Sequence, residues 1–279
     1  MVQKMQQSSA ALVNDGALSC FFVGTGSAFS RRFYQTNILI VKGGTHVLID
    51  CGTRCSCALA EYGCAIEQIQ NYIITHSHAD HIGGLEEAAL LGMYMSRSRP
   101  RMLIPDEYRD VLWNESLRGG LMHSEQESAR LLTFHDYFEQ ITPSLIADTP
   151  RRLYHIEFGG IDFKLFRTIH IPDRSGSWEN GFISYGVLVD NRVLFTGDTR
   201  YDAALLDWLC GAYPIEYIFH DCQLYTGGVH ASYQELQHLP AAVKQKMFLC
   251  HYGDAVETYD ACADGFAGFA EQGCFYVFD

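Results

Sequence analysis

Residues Thr75–Gly84 read Thr-His-Ser-His-Ala-Asp-His-Ile-Gly-Gly. His76, His78, Asp80 and His81 follow directly on the apolar run Tyr72–Ile74, which has the character of a buried strand. A loop leaving a strand end can turn such side chains inward together. Imidazole with carboxylate is a ligand set that zinc accepts. Gly83 and Gly84 let the next helix start tightly against the loop. Core packing accounts poorly for histidines this densely spaced, so the string reads as a metal-binding loop.

Outward from this loop, strands and helices alternate. Upstream stand the strand-like runs LSCFFVGTG (18–26), QTNILIV (35–41) and HVLIDCG (46–52), then a helical stretch at 55–62. Downstream, LEEAALLGMYMS (85–96) is apolar at helical spacing, RPRMLIP (99–105) is strand-like, and Pro105 opens a helix holding EYRDVLWNESL (107–117). The second half predicts strands in RLYHIEF (152–158), DFKLFRTIHIP (162–172), ISYGVLVD (183–190), RVLFTGDTR (192–200), IEYIFHD (215–221), KMFLCH (246–251) and CFYVFD (274–279). DAALLDWLC (202–210) and SYQELQHLPAAVKQ (232–245) are predicted helical. Long apolar strands alternating with helices imply sheets covered by helices, an α/β fold.

NILIVKGGTHVLIDCGTR (37–54) and YGVLVDNRVLFTGDTR (185–200) are both hairpins whose second strand ends in an acidic residue, a glycine and a threonine. Two related half-domains within one domain, residues 18–279, are expected, behind a disordered polar leader at 1–17. A helical insertion near 90–144 is either a lid, a subunit contact or plain packing.

The 279 residues are 48% hydrophobic, enough for one large core. No run reaches the roughly eighteen apolar residues of a membrane helix. A net charge of −13, with basic residues densest only at Ser96–Arg101 and Pro150–Arg152, opposes binding to a long nucleic acid. The chain has ten cysteines, which read as free thiols of a reducing cytoplasm rather than a disulfide scaffold. The irregular cluster Cys51, Cys55, Cys57 and Cys64 leaves a structural zinc site as the alternative.

The histidine string resembles the hallmark of the metallo-β-lactamase superfamily, and the likeness runs over nearly the whole chain. FVGTGSAF (22–29) is similar to the first strand and turn of its phosphodiesterase branch, and VLIDCG (47–52) to the strand before the metal motif. The resemblance implies a metallo-β-lactamase αββα sandwich binding two Zn2+ ions, with Mn2+ as the alternative. His76, His78 and His170 would take one metal. Asp80, His81 and His251 would take the other, and Asp198 would bridge them. His155 is the alternative to His170.

Details select the branch. Where redox di-iron members usually place a Glu, this motif has His78; many β-lactamases carry a Cys where Asp198 stands. FHDCQLYTGGVHASYQEL (219–236) resembles the tRNase Z-like branch, in which an acidic residue precedes a short loop and a His-Ser/Ala-Thr/Ser motif. The matching positions are Asp221 and His230-Ala231-Ser232. The likeness implies that His230, oriented by Asp221, contacts the scissile phosphate, Asp80 also serving the catalytic centre. The other reading of His230 is a helix cap. The long tRNA-gripping arm is not recognisable. LWNESLRGGL (112–121) and GVHASYQELQHLP (228–240) with FLCHYGD (248–254) look similar to the cyclic-nucleotide-degrading group that includes the anti-Pycsar nucleases.

The resemblance implies hydrolysis of a small, cyclic nucleotide by a homodimeric enzyme. A tRNase Z-like ribonuclease and a thioester or lactone hydrolase are the enzymatic alternatives. A metal-binding regulatory protein without turnover is the third.

Overall fold

A computed structural model of the protein describes residues 2–6, 9–123, 130–173 and 175–278. The chain divides into two compact units: Met1–Val23 with Asn37–Pro143 and Gly273–Asp279, and Gly24–Thr36 with Ser144–Gln272.

The first unit holds strands β1 (Val2–Gln6), β2 (Leu18–Gly24), β3 (Asn37–Lys42), β4 (Thr45–Ile49), β5 (Asn71–Ile73), β6 (Arg101–Leu103), β7 (Glu139–Ile141) and β16 (Cys274–Phe278). They form one sheet in the order β1-β16-β2-β3-β4-β5-β6-β7. β3 and β4 make the expected antiparallel hairpin, and β4, β5, β6 and β7 run parallel. Every residue of β2 and all but the last of β3 are buried, as strands covered on both faces require. Helices Cys55–Glu61 and Leu85–Leu91 bury Ala58, Leu59, Leu85, Ala88 and Ala89.

Two expectations change here. Part of the leader expected to be disordered is strand β1, paired antiparallel with β16 from Val2↔Phe278 to Gln6↔Cys274; residues 1 and 7–8 lie outside the described residues. The insertion is helical only in part. Its helix after Pro105 widens from α (Asp106–Val111) to a π turn (Leu112–Leu117), but β6 and β7 also belong to it. Leu112, Trp113 and Leu117 are buried within the unit, so they serve packing. Residues 124–129 of the insertion lie outside the described residues.

The second unit holds β8 (Ser144–Ala147), β9 (Leu153–Phe158), β10 (Ile161–Arg167), β11 (Tyr185–Val189), β12 (Val193–Phe195), β13 (Tyr217–Asp221), β14 (Met247–Cys250) and β15 (Gly268–Phe269). They follow one another in sequence order across the second sheet. From β8 to β12 neighbours are antiparallel; β12, β13, β14 and β15 run parallel. The core packs Leu205, Leu206 and Leu209 of helix Ala203–Ala212 with Leu188, Leu194, Ile218 and Leu249 of the strands. The helix expected over 232–245 is two short turns, Tyr233–Leu236 and Ala241–Lys244, separated at Pro240, which cannot donate a helical hydrogen bond.

The internal similarity is visible in the pairing. An antiparallel hairpin leads into three further parallel strands in each unit, β3–β4 into β5–β7 and β11–β12 into β13–β15. Ligands of open α/β sheets gather beyond the carboxyl ends of such strands. Among the described residues, no helix is long and apolar enough to cross a membrane.

Candidate metal centre

In the first unit the histidine string follows β5 as expected. Its short helix Ala79–Ile82 begins after His78, and His76, Asp80 and His81 are buried. A Cβ at Gly83 would stand 2.2 Å from Thr53 Oγ1, and one at Gly84 would stand 2.8 Å from the Gly52 carbonyl oxygen. The glycines therefore allow the close approach that seats the loop against 51–53.

Asp50, at the end of β4, organises these imidazoles. It adopts a left-handed backbone (φ 63°), sparsely populated for a residue with a side chain. Its Oδ1 accepts from the Thr75 N–H at 2.8 Å, while Oδ2 accepts from Thr75 Oγ1 at 2.8 Å and from His81 Nδ1 at 2.6 Å. With Asp50 ionised, the single hydroxyl proton of Thr75 is committed to it. Thr75 Oγ1 must then accept from His76 Nδ1, 3.1 Å away. Both rings thus carry their proton on Nδ1, which leaves Nε2 of His76 and of His81 as a lone-pair donor. Burial pushes the Asp50 carboxyl up, and the His81 and Thr75 contacts oppose that rise. His76 Nε2 lies 2.9 Å from His78 Nδ1, and His81 Nε2 lies 3.3 Å from Asp80 Oδ2.

In the second unit, Asp198 follows β12, positioned by Gly197 in the left-handed region (φ 59°). Its Oδ2 is 3.5 Å from His251 Nε2 and 3.8 Å from His170 Nε2. His170 points Nδ1 at the Val229 carbonyl, 3.1 Å away, which again frees Nε2. Burial holds the His170 ring below its ordinary pKa, against the pull of Asp198, which favours the neutral form that can ligate. His251 leaves β14 with φ 60°.

Asp221, the last residue of β13, is the hub of this unit's cluster. It accepts from the Thr199 N–H at 2.9 Å and from His230 Nδ1 at 2.8 Å, and lies 3.2 Å from His251 Nδ1. Burial disfavours its charge, yet His230 and His251 outweigh that and hold its carboxyl below the ordinary value. Burial also resists a charged His230 ring, but Asp221 and then Asp198 push its pKa up. Candidate ligand atoms of Asp198, Asp221, His230 and His251 lie within 4.8 Å of one another.

Donor separations of 2.9–3.8 Å suit atoms that share a cation bonded at about 2.0–2.2 Å. The imidazole and carboxylate set therefore fits a divalent metal in each unit. His155 stands apart from the cluster, on β9 with its Nε2 3.2 Å from Asp162. His230 is not the cap of helix Tyr233–Leu236; Ser232 is, accepting from the Glu235 N–H. Cys51, Cys55 and Cys64 are buried free thiols while Cys57 is exposed. The Cys51 contact and burial push the Cys55 thiol well up, and among the described residues no cysteine falls in a cluster that could hold a metal.

The orienting roles of Asp50, Thr75 and the Val229 carbonyl are not assigned by the sequence reading. A signal for Asp50 exists. In the internal repeat it falls among the acidic residue, glycine and threonine that close the second strand of each hairpin, the set that also contains Asp198.

The family described as Anti-Pycsar protein Apyc1 matches residues 18–276. The Anti-Pycsar protein Apyc1 of Bacillus phage vB_BsuM-Goe3 is 39% identical over 257 residues, 90% of this chain and 95% of its own. That of Paenibacillus harenae is 39% identical over 238 residues, 85% of this chain and 90% of its own. The metallo-β-lactamase fold protein YhfI from Bacillus subtilis superposes with a TM-score of 0.66 at 14% identity, covering 94% of this chain and all (100%) of its own. At that identity the likeness establishes the fold alone, a metallo-β-lactamase α/β fold. Matched from its second strand to its last, the chain belongs to the anti-Pycsar Apyc1 family.

Proposed function

We propose that the protein is a metallo-hydrolase that cleaves the phosphodiester of a small cyclic nucleotide. One observation carries the reading: His230, an imidazole held by Asp221 at 2.8 Å, stands beside the carboxylate and imidazole donors Asp198 and His251. Family membership supports it. The two units act as one domain in this reading. His76, His78, His170 and Asp198 would hold one metal, and Asp80, His81 and His251, again with Asp198, would hold a second. Zinc is the first choice and manganese the second.

When bound, the metals would neutralise phosphate charge and activate water. The chain's own residues do the rest. Asp50 and Thr75 fix the tautomers of His81 and His76, and the Val229 carbonyl fixes that of His170. Asp221 accepts the Nδ1 proton of His230, which turns Nε2 outward as a donor. The ribose alkoxide is a poor leaving group, and a proton from Nε2 completes its departure. A thioester hydrolase has no such need of His230.

The net charge of −13 favours a small substrate over transfer RNA. Ten free cysteines suit a reducing cytoplasm. The deciding experiment assays the metal-loaded protein against a panel of cyclic mono- and dinucleotides and a precursor transfer RNA. Turnover of a cyclic nucleotide supports the proposal. Efficient site-specific processing of the RNA with no cyclic-nucleotide hydrolysis overturns it.

A further inference from the structure

Within the second unit, His230 and His251 form part of the lining of a cavity of about 280 Å³. Phe29 and Tyr225 line it too, and both are unusually exposed, Phe29 at 93% and Tyr225 at 67%. A single exposed aromatic needs no explanation. Two on separate loops, bordering the same cavity as the candidate proton donor, do.

Both loops are pinned. Asp254 accepts from Ser30 Oγ at 2.5 Å and from the N–H groups of Arg31 and Arg32 at 3.1 Å, immediately after Phe29. Ser27, on the other side of Phe29, donates its N–H to the Tyr252 carbonyl at 3.0 Å. Opposite, Tyr259 donates its hydroxyl to the Leu224 carbonyl at 2.6 Å, one residue before Tyr225, and Gln223 Nε2 donates to the Gly227 carbonyl. The backbone is held while the two rings are left in solvent. That arrangement gives up apolar burial to keep π faces available.

Building on the cyclic-nucleotide reading, we propose that this cavity is the nucleobase subsite and that Phe29 and Tyr225 supply its stacking faces. A cavity of about 280 Å³ is small for a drug-sized ligand and suits one planar group. Its continuity with His230 puts a bound base next to the phosphate. Stacking accepts any base, so these rings contribute affinity and orientation, with little choice between bases.

The test uses metal-loaded wild-type protein, Phe29→Ala, Tyr225→Ala and the conservative Phe29→Tyr and Tyr225→Phe. Two readouts are taken. The first is kcat/KM on a 3′,5′-cyclic nucleotide relative to ribose 3′,5′-cyclic phosphate, which lacks the base. The second is binding of the free nucleoside, followed by saturation-transfer NMR. Each alanine variant is expected to lower the preference for the base-bearing substrate by roughly 5- to 100-fold, mainly through KM, with the conservative variants restoring it. Nucleoside binding by wild type that alanine weakens supports the subsite even if no cyclic nucleotide is turned over, the failure of the activity reading alone. An unchanged preference in active alanine variants overturns the subsite and leaves the activity reading intact. An inactive wild type that binds no nucleoside overturns both.

Discussion

Asp50 receives the Nδ1 proton of His81 at 2.6 Å, and through Thr75 it sets the tautomer of His76 as well. One carboxylate outside the proposed ligand set thereby prepares two of its members.

Metal content is expected near two zinc equivalents per chain, and His78→Ala is expected to lose both metal and activity. Asp50→Asn should keep the fold but weaken metal binding by about 10–100-fold, the usual effect of losing an outer partner of a ligating histidine. Elemental analysis and chelator competition measure both. Equal affinity in Asp50→Asn and wild type would remove Asp50 from the site.

For His230→Ala we expect retained metal with a loss of about 10²–10⁴-fold in kcat on a cyclic nucleotide. A nitrophenyl ester, whose leaving group departs unaided, should lose far less. If both substrates slow equally with metal intact, the residue binds phosphate instead of donating a proton.

Gly84→Ala tests the seat of the histidine loop. Its Cβ would meet the Gly52 carbonyl oxygen at 2.8 Å and Cys51 Sγ at 2.9 Å. Overpacking of this kind costs about 1–3 kcal/mol. Urea unfolding should report that loss, together with weaker metal retention. Wild-type stability would mean that the loop is loosely seated.

A homodimer is proposed through the face of helix Leu85–Leu91 and its π-turn extension, where Leu90, Leu91, Tyr94 and Met95 line a shallow hollow. Met95 is 73% exposed. Light scattering at micromolar concentration should give a dimer mass for wild type and a monomer mass for Met95→Glu. A wild-type monomer ends the proposal.

The histidine loop was legible because its pattern is local: His76, His78, Asp80 and His81 are neighbours in sequence and follow one strand end. The strand-end positions of Asp198 and His251 were legible through the apolar strands before them, VLF three residues ahead of Asp198 and MFLC directly ahead of His251. Edge strands were harder. β8 exposes three of its four residues and β15 is a two-residue strand containing Gly268, so neither has the apolar run that marks a buried strand. The role of Asp50 depends on a hydrogen bond to a residue 31 positions away, and a strand-end aspartate in isolation does not announce it.

The placement of β16 between β1 and β2 bears on how the chain assembles. Every residue of the second unit's sheet intervenes in sequence between β2 and β16, so the first sheet cannot close its amino-terminal side during early synthesis. The second unit's strands pair in the order they emerge, so each can add to its predecessor as soon as it is made. The second unit should therefore acquire its structure while the first still presents β2 as an open edge, a window in which a chaperone or another nascent chain competes with β16.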